Sequence, residues 1–368
     1  MSKKVSNKNS SKISKQENLN DTSYSYMNPV EHVYKIPDTY IGSVEPSSED
    51  LFVYDNGKIL MKNITYIQGF YKIFDEILVN ALDQYTRTME LKYNKVSKTI
   101  VTDKIEIMID KDSGYISVIN TGDGFVIEKN NVEGETMYSV EMVCGLLLTS
   151  GNYNKKDKIV GGLNGYGLKL TNIFSKEFKV ETIDNKSKTK YTQTWYNNME
   201  NKEEPIIEKK CNDEPYTKFT FLPDYERFGM DGLDDDIINL LIKRVYDGCL
   251  WGSNNGMLIF KDELNGGKKY KKPLLDIYLN GNKLECNLKS YINMYNTMDN
   301  VIDDKQLYIY SGFRWEVCII ESPDNKYNQI SMINAITTNR GGKYVDYITT
   351  QFTKKCLEYI KTKKKNLK

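Results

Sequence analysis

Glu76 and Asn80 stand four residues apart in the stretch GFYKIFDEILVNALDQYTR (Gly69–Arg87), and Asp83 follows three residues later. In a helix that spacing gathers all three on one face. A carboxylate there can draw a proton from water as a general base. The carboxamide oxygen of Asn80 suits Mg²⁺, a hard cation that takes oxygen ligands and shares them with phosphates. Taken alone, the same triplet also describes a solvated polar stripe. A second candidate is NTGDGF (Asn120–Phe125). Its alternate glycines would let a planar base lie against the backbone while Asn120 or Asp123 reads the base edge; a plain turn is the competing reading. The third is GLNGYGLK (Gly162–Lys169). It is not a Walker A loop, because Lys169 does not follow the second glycine and no Ser or Thr succeeds it. It is not a dinucleotide fingerprint either, since GxGxxG after a strand is missing. It offers backbone N–H groups at a helix start near Gly167–Lys169, an anion site to which Lys169 would add charge. Just upstream, TSGN (Thr149–Asn152) supplies small hydroxyl and amide groups suited to a ribose or a phosphate.

These residues need elements to hold them. Ile73, Phe74, Ile77, Leu78, Ala81 and Leu82 form the apolar face of a helix over 69–87, opposite the polar triplet. KIEIMID (104–110) and YISVIN (115–120) alternate, with turn chemistry in KDSG between them, and read as a β-hairpin. YSVEMVCGLLLTS (138–150) reads as a helix, and another follows the glycine loop through LKLTNIFS. EFKVETI, KYTQTWY and YTKFTFLP read as an antiparallel meander. LDDDIINLLIKRVYDGC (233–249) reads as an amphipathic helix with acids at its start, where they complement the dipole. Composition shifts to Asn, Gly and Lys over 255–272, which sets an expected boundary at 263/264. Beyond it LDIYLNGNKL, LYIYSG, WEVCIIES and ISMINAITT read as strands, and a closing helix starts near Tyr344.

The 51 Lys+Arg against 50 Asp+Glu give no global argument for a nucleic-acid or membrane partner. Residues 1–15 and 361–368 are Lys-rich and read as solvated tails. Six scattered cysteines without CxxC and a single histidine, His32, argue against a zinc site. No stretch approaches the roughly 18 apolar residues of a membrane span. A reduced, intracellular, soluble protein with no membrane partner is the expectation.

Taken in order, the Glu/Asn helix, the N-x-G-x-G strand end and the glycine loop that opens a helix resemble the motif set of the GHKL ATPases. Four longer blocks narrow the resemblance: EHVYKIPDTYIGSVE (31–45), YKIFDEILVNALDQ (71–84), LLLTSGNYNKKDKIVGGLNGYGLKLTNIFSKEF (146–178) and TTNRGGKYVDYI (337–348). They closely resemble the ATPase region of eukaryotic and large-virus type II DNA topoisomerases, from about Asn28 to Ile360. The resemblance implies an α+β fold: a GHKL (Bergerat) ATP-binding sandwich of mixed sheet and helices on one face over 28–263, then a partial ribosomal-S5-like transducer over 264–368, with a disordered tail over 1–27. It implies ATP and Mg²⁺ as cofactors. Glu76 would be the general base, Asn80 the Mg²⁺ ligand and Asn120 the reader of the adenine edge. Ser150, Gly151 and Asn152 would contact ribose and phosphate. Gly162, Leu163, Asn164, Gly165, Tyr166, Gly167, Leu168 and Lys169 would cradle the phosphates and form part of the lid.

As partners it implies double-stranded DNA in the complete enzyme, an ATP-induced homodimer in which the stretch before His32 crosses to the partner, and a cleavage core on a separate subunit or domain. The place of action would be the nucleus, or the cytoplasmic replication site of a large DNA virus. Departures stand beside this. Gly151 replaces a family serine, Gln84 an asparagine and Leu163 an arginine, each expected to weaken nucleotide affinity. The transducer's Gln-Thr-Lys switch and the cleavage tyrosine are not found, so low turnover and no DNA cleavage by this chain alone are expected. A non-hydrolysing nucleotide-binding module of a split enzyme is the alternative.

Overall fold

The computed structural model describes residues 27–95, 98–132, 134–149, 165–253, 257–258, 270–271, 275–295, 307–311, 315–322 and 326–363. Helix α1 (Pro29–Lys35) starts with proline at its first position and with the Asn28 side chain accepting from the Glu31 N–H. Strands β1 (Ser47–Asp55) and β2 (Lys58–Tyr66) form a hairpin that the sequence reading did not include. Its turn is Asn56-Gly57, with φ of 47° and 87°, the left-handed pair such a two-residue turn demands.

Helix α2 (Gln68–Tyr93) carries the polar triplet. Every apolar position expected on its inner face is buried: Ile73, Phe74, Ile77, Leu78, Ala81 and Leu82. β3 (Lys104–Ile109) and β4 (Ile116–Thr121) pair antiparallel as expected. A small hairpin, β5 (Lys129–Val132) and β6 (Glu135–Tyr138), leads into α3 (Ser139–Gly145). α3 ends earlier than the expected helix, and Leu148 then takes a left-handed φ of 62°. α4 (Gly167–Ile173) follows the glycine motif.

Next come β7 (Ser175–Asp184), β8 (Thr189–Tyr196), β9 (Asn201–Lys202), β10 (Ile206–Lys209) and β11 (Tyr216–Pro223). They do not form the simple meander that was expected. β11 inserts between β7 and β4, pairing antiparallel with both, and so joins the two hairpins into one sheet. Its inward residues Phe219 and Phe221 are buried, which a strand in mid-sheet requires. Helix α5 (Asp235–Ser253) is followed by the short pair β12 (Met257–Leu258) and β13 (Tyr270–Lys271). β14 (Asp276–Leu279) and β15 (Asn282–Lys283) complete a nine-stranded sheet of order β10-β8-β7-β11-β4-β3-β14-β15, with β9 on β8. β14 runs parallel to β3 and the other pairs are antiparallel, so the sheet is mixed. Residues 276–283, which the expected boundary at 263/264 assigns to the second segment, hydrogen-bond into this first sheet. α2, α4 and α5 pack on it.

After α6 (Leu288–Met294) come the hairpins β16 (Leu307–Ser311)–β17 (Glu316–Ile320) and β18 (Met332–Ile333)–β19 (Ile336–Thr337), and the closing helix α7 (Lys343–Lys363). ISMINAITT is therefore not one strand. Asn334 and Ala335 take φ of 49° and 66° and turn the chain back on itself. Alanine in that region costs roughly 1–2 kcal/mol, which is why Asn-Ala carries no turn signal in the sequence. No described helix is long and apolar enough to cross a membrane.

Candidate active site

α2 points Glu76 and Asn80 outward from the buried face, both partly exposed, whereas Asp83 one turn on is buried. The face expected to be uniformly polar is therefore split, and Asp83 belongs to the interior. Glu76 is held from two sides. Its Oε1 lies 2.5 Å from Lys72 Nζ, one helical turn earlier. Burial works to lower the Lys72 pKa, but the Glu76 carboxylate beside it more than offsets this and raises it. On the other side sits Gly167, the first residue of α4. A Cβ built there would lie 1.9 Å from Glu76 Oε2 and 2.8 Å from Cδ. A side chain at 167 would push the Glu76 carboxylate out of this position, and the glycine motif and the Glu helix, 91 positions apart in numbering (167 − 76), meet at one point. α2 and α4 are fastened further by Thr171 Oγ1, which donates to the Ile73 carbonyl at 2.8 Å.

Asn80 makes no side-chain hydrogen bond among the described residues, and its carboxamide is left available beside the Glu76 carboxylate. Asn120 sits at the end of β4, 5% exposed, with its Nδ2 on the Thr121 carbonyl at 3.0 Å. Asp123, the other residue considered for reading a base edge, is already committed: its Oδ1 accepts from the Ile100 N–H and from Asn185 Nδ2. The glycines beside it serve the protein's own packing. A Cβ at Gly124 would lie 2.0 Å from the Ile183 carbonyl oxygen, and one at Gly122 would lie 2.7 Å from Thr102 Oγ1.

Lys169 differs from expectation. It is 1% exposed and its Nζ donates to the carbonyls of Thr149 at 2.7 Å and Gly165 at 2.8 Å. Burial brings its pKa down to about 8. The ammonium is therefore engaged by main-chain carbonyls in this conformation. Gly165 takes a left-handed φ of 68°, Tyr166 packs its ring 6.3 Å from Tyr40, and Leu168 is buried in the core. Ser150, Gly151, Asn152, Gly162, Leu163 and Asn164 lie outside the described residues. Gln84, expected to replace an asparagine contact, accepts from Arg87 Nη1 at 3.3 Å.

α1 braces α4 from behind. Tyr34 stacks on Phe174 at 5.7 Å and donates to the buried Asp224 at 3.0 Å. Asp224 also takes an ion pair from Lys176 and a bond from Asn198 Nδ2. Burial would raise the Asp224 pKa, yet these donors hold it below the usual carboxylate value. The sequence reading also missed Asp75, the residue before Glu76. It is buried against Arg244 of α5, 169 positions away, with Nε on Oδ1 at 2.6 Å. Lys72 was within reach of sequence reasoning, through its i,i+4 spacing to Glu76; Arg244 was not.

No family profile matches the chain. Curated relatives and solved structures do. The chain is 40% identical over 349 residues to DNA topoisomerase 2 of Arabidopsis thaliana, covering 93% of this chain and 22% of that protein. It is 39% identical over 360 residues to DNA topoisomerase 2 of Saccharomyces cerevisiae, covering 93% of this chain and 23% of that protein. It therefore spans less than a quarter of the length of these relatives. Among solved structures, the ATPase region of Saccharomyces cerevisiae topoisomerase II superposes with a TM-score of 0.74 at 39% identity, over 92% of this chain and 81% of that one. The ATPase and transducer domains of DNA topoisomerase II from Balamuthia mandrillaris give 0.76 at 37% identity, over 92% and 78%. The expected α+β GHKL fold is borne out by these neighbours.

Proposed function

The chain belongs to the DNA topoisomerase II family and corresponds to its ATPase region, and from that premise we propose that it binds Mg-ATP and hydrolyses it, with Glu76 as general base. The observation that carries this reading is the packing of Glu76 against Gly167. A carboxylate set beside the first residue of the glycine-motif helix supports a base that directs water at a terminal phosphate. Lys72 on Oε1 fixes the carboxylate's rotamer from the other side. Positioning of this kind supplies much of the catalysis in phosphoryl transfer.

The donor set fits Mg²⁺. Asn80 offers a carboxamide oxygen that no described group occupies, next to a carboxylate, and both are the hard oxygen donors that cation takes. Asn80 would hold the cation, whose charge would offset that of the phosphates. Asn120, whose Oδ1 accepts no hydrogen bond from the described residues, is the group we assign to the adenine edge. We assign Gly165, Tyr166, Gly167, Leu168 and Lys169, with Ser150, Gly151, Asn152, Gly162, Leu163 and Asn164, to the ribose and phosphates. For Lys169 this requires its ammonium to leave the Thr149 and Gly165 carbonyls.

In a complete enzyme the same module would act as an ATP-operated gate. Nucleotide binding would bring two copies together around double-stranded DNA, in the nucleus or at the replication site of a large DNA virus, with cleavage performed by a separate domain or subunit. The test is phosphate release at saturating Mg-ATP by the parent and by Glu76→Gln. Release by the parent that the variant lacks supports hydrolysis through Glu76. Saturable nucleotide binding without release from either supports the alternative, a non-hydrolysing nucleotide module.

A further inference from the structure

Among the described residues of 307–363, one is buried: Ala335. It lies at the tip of the β18–β19 hairpin in the left-handed conformation, which alanine rarely adopts. Backbone strain of this kind persists where surrounding structure over-determines it, and here the surroundings belong to the ATP-binding unit. The Ala335 carbonyl accepts from Arg244 Nη2 at 2.7 Å. Arg244 is fully buried, and its Nε holds Asp75 Oδ1 at 2.6 Å. Asp75 is the neighbour of Glu76 in the chain and stands three residues after Lys72, on the same turn of α2. One guanidinium therefore grips the turn that presents the candidate base through Nε and the hairpin tip through Nη2.

A second contact runs beside the first. Asp247, one turn after Arg244 on α5, is buried and accepts from Lys243 Nζ at 2.8 Å and from Tyr291 OH at 2.5 Å. Thr337 Oγ1, two residues past the hairpin tip, lies 3.3 Å from its Oδ2. The hairpin is thus seated on α5 at two points. Arg244 cannot drop either partner cheaply, because a buried cation that loses a partner is strongly disfavoured and its Nη1 already has no hydrogen-bond partner among the described residues. The planar fork of arginine suits this double grip; a lysine ammonium has no such geometry.

We propose that Arg244 is a positioning residue for hydrolysis: it locks the Lys72–Glu76 turn of α2 in register with the β18–β19 hairpin tip, so that the base is correctly set only while the hairpin is seated. This rests on the reading of Glu76 as the base. It predicts a defect in turnover that leaves nucleotide binding alone, and the same defect from either end of the connection.

Two variants test it. Arg244→Lys keeps the charge and loses the fork. Ala335→Pro forbids the positive φ and unseats the tip without touching α2 or α5. The readouts are kcat and KM for Mg-ATP, the affinity for the β,γ-imido analogue of ATP by calorimetry, and amide exchange over residues 71–80. Each variant is expected to lower kcat about tenfold or more, with KM and analogue affinity within threefold of the parent. The double variant should lose no more than the worse single one. Amide exchange over 71–80 should rise in both, a readout that needs no turnover. An Ala335→Pro protein with kcat and 71–80 exchange within twofold of the parent overturns the proposal. So does a rise in KM that matches the fall in kcat, which would mean general loosening. If the parent itself binds the analogue but does not turn over, the hydrolytic reading fails, and unchanged 71–80 exchange in Ala335→Pro would still overturn the seating.

Discussion

The sheet-and-helix unit and the segment after it are held together in different ways. From α1 to α6, helices α2, α4 and α5 bury continuous apolar faces on the nine-stranded sheet, and Phe74, Ile77, Leu78 and Leu82 of α2 are inaccessible to solvent. In 307–363, α7 runs 21 residues without a buried one, and Tyr347, Phe352, Leu357, Tyr359 and Ile360 stand exposed along it. The first region positions Glu76 and Asn80 because every residue behind them is fixed by packing. The second touches that arrangement at one buried residue, Ala335. Precision at the site comes from the density behind it, and the second region can influence it through few contacts.

The largest expected effect falls on chemistry in the packed region. Glu76→Gln keeps the side chain's shape and removes its anion, and should lower hydrolysis about 10²–10⁴-fold while nucleotide binding survives. A change within threefold, read by phosphate release, would remove Glu76 from the base role. Next comes a matched pair that measures the contrast itself. Phe74→Ala, in the core of α2, should cost about 3–5 kcal/mol. Phe352→Ala, exposed on α7, should stay within about 0.5 kcal/mol. Denaturant unfolding of both decides it, and equal costs would mean that the two regions are not packed as differently as described. Asn80→Ala should then weaken Mg²⁺-dependent nucleotide affinity about 10–100-fold, the equivalent of losing a bond to a charged group, and leave metal-free binding nearly unchanged. Equal Mg²⁺ dependence in variant and parent would reject the assignment.

The smallest effect concerns Lys169. Its folded pKa of about 8 lies below the ordinary lysine value of 10.5, so between those values the unfolded chain holds the proton more tightly than the folded one. Stability linked to Lys169 is therefore fully present above about pH 10.5 and is lost as pH falls through about 8. Compared with Lys169→Met, which lacks this titration, the parent should gain a few °C in melting temperature, roughly, between pH 8 and 10. A gap that stays constant or moves the other way would show that the ammonium is solvated and not buried between the Thr149 and Gly165 carbonyls.

What could be read in advance follows from how local each cause is. The apolar period of α2 and the β3–β4 hairpin are written in neighbouring residues, and both formed as the pattern implied. So did the outward placement of Glu76 and Asn80, since helical spacing alone determines it. The insertion of β11 between β4 and β7 depends on which strands find each other across roughly a hundred residues, and alternation is silent on partner choice. The Asp75–Arg244 pair is hidden for the same reason. The buried seat of Lys169 was hidden too, because a lysine at a helix start carries no sign of the two carbonyls that its ammonium meets. The Asn334-Ala335 turn carried no glycine, so a hairpin read as a strand.

The central claim is that α2's outward face and the glycine motif form one Mg-ATP site. Calorimetric titration of the chain with the β,γ-imido analogue of ATP, with and without Mg²⁺, tests it most directly. The account predicts saturable binding of one nucleotide per chain, weakened when Mg²⁺ is withdrawn and retained in Glu76→Gln. Absence of saturable binding up to millimolar analogue in the folded parent, or binding indifferent to Mg²⁺, would contradict it.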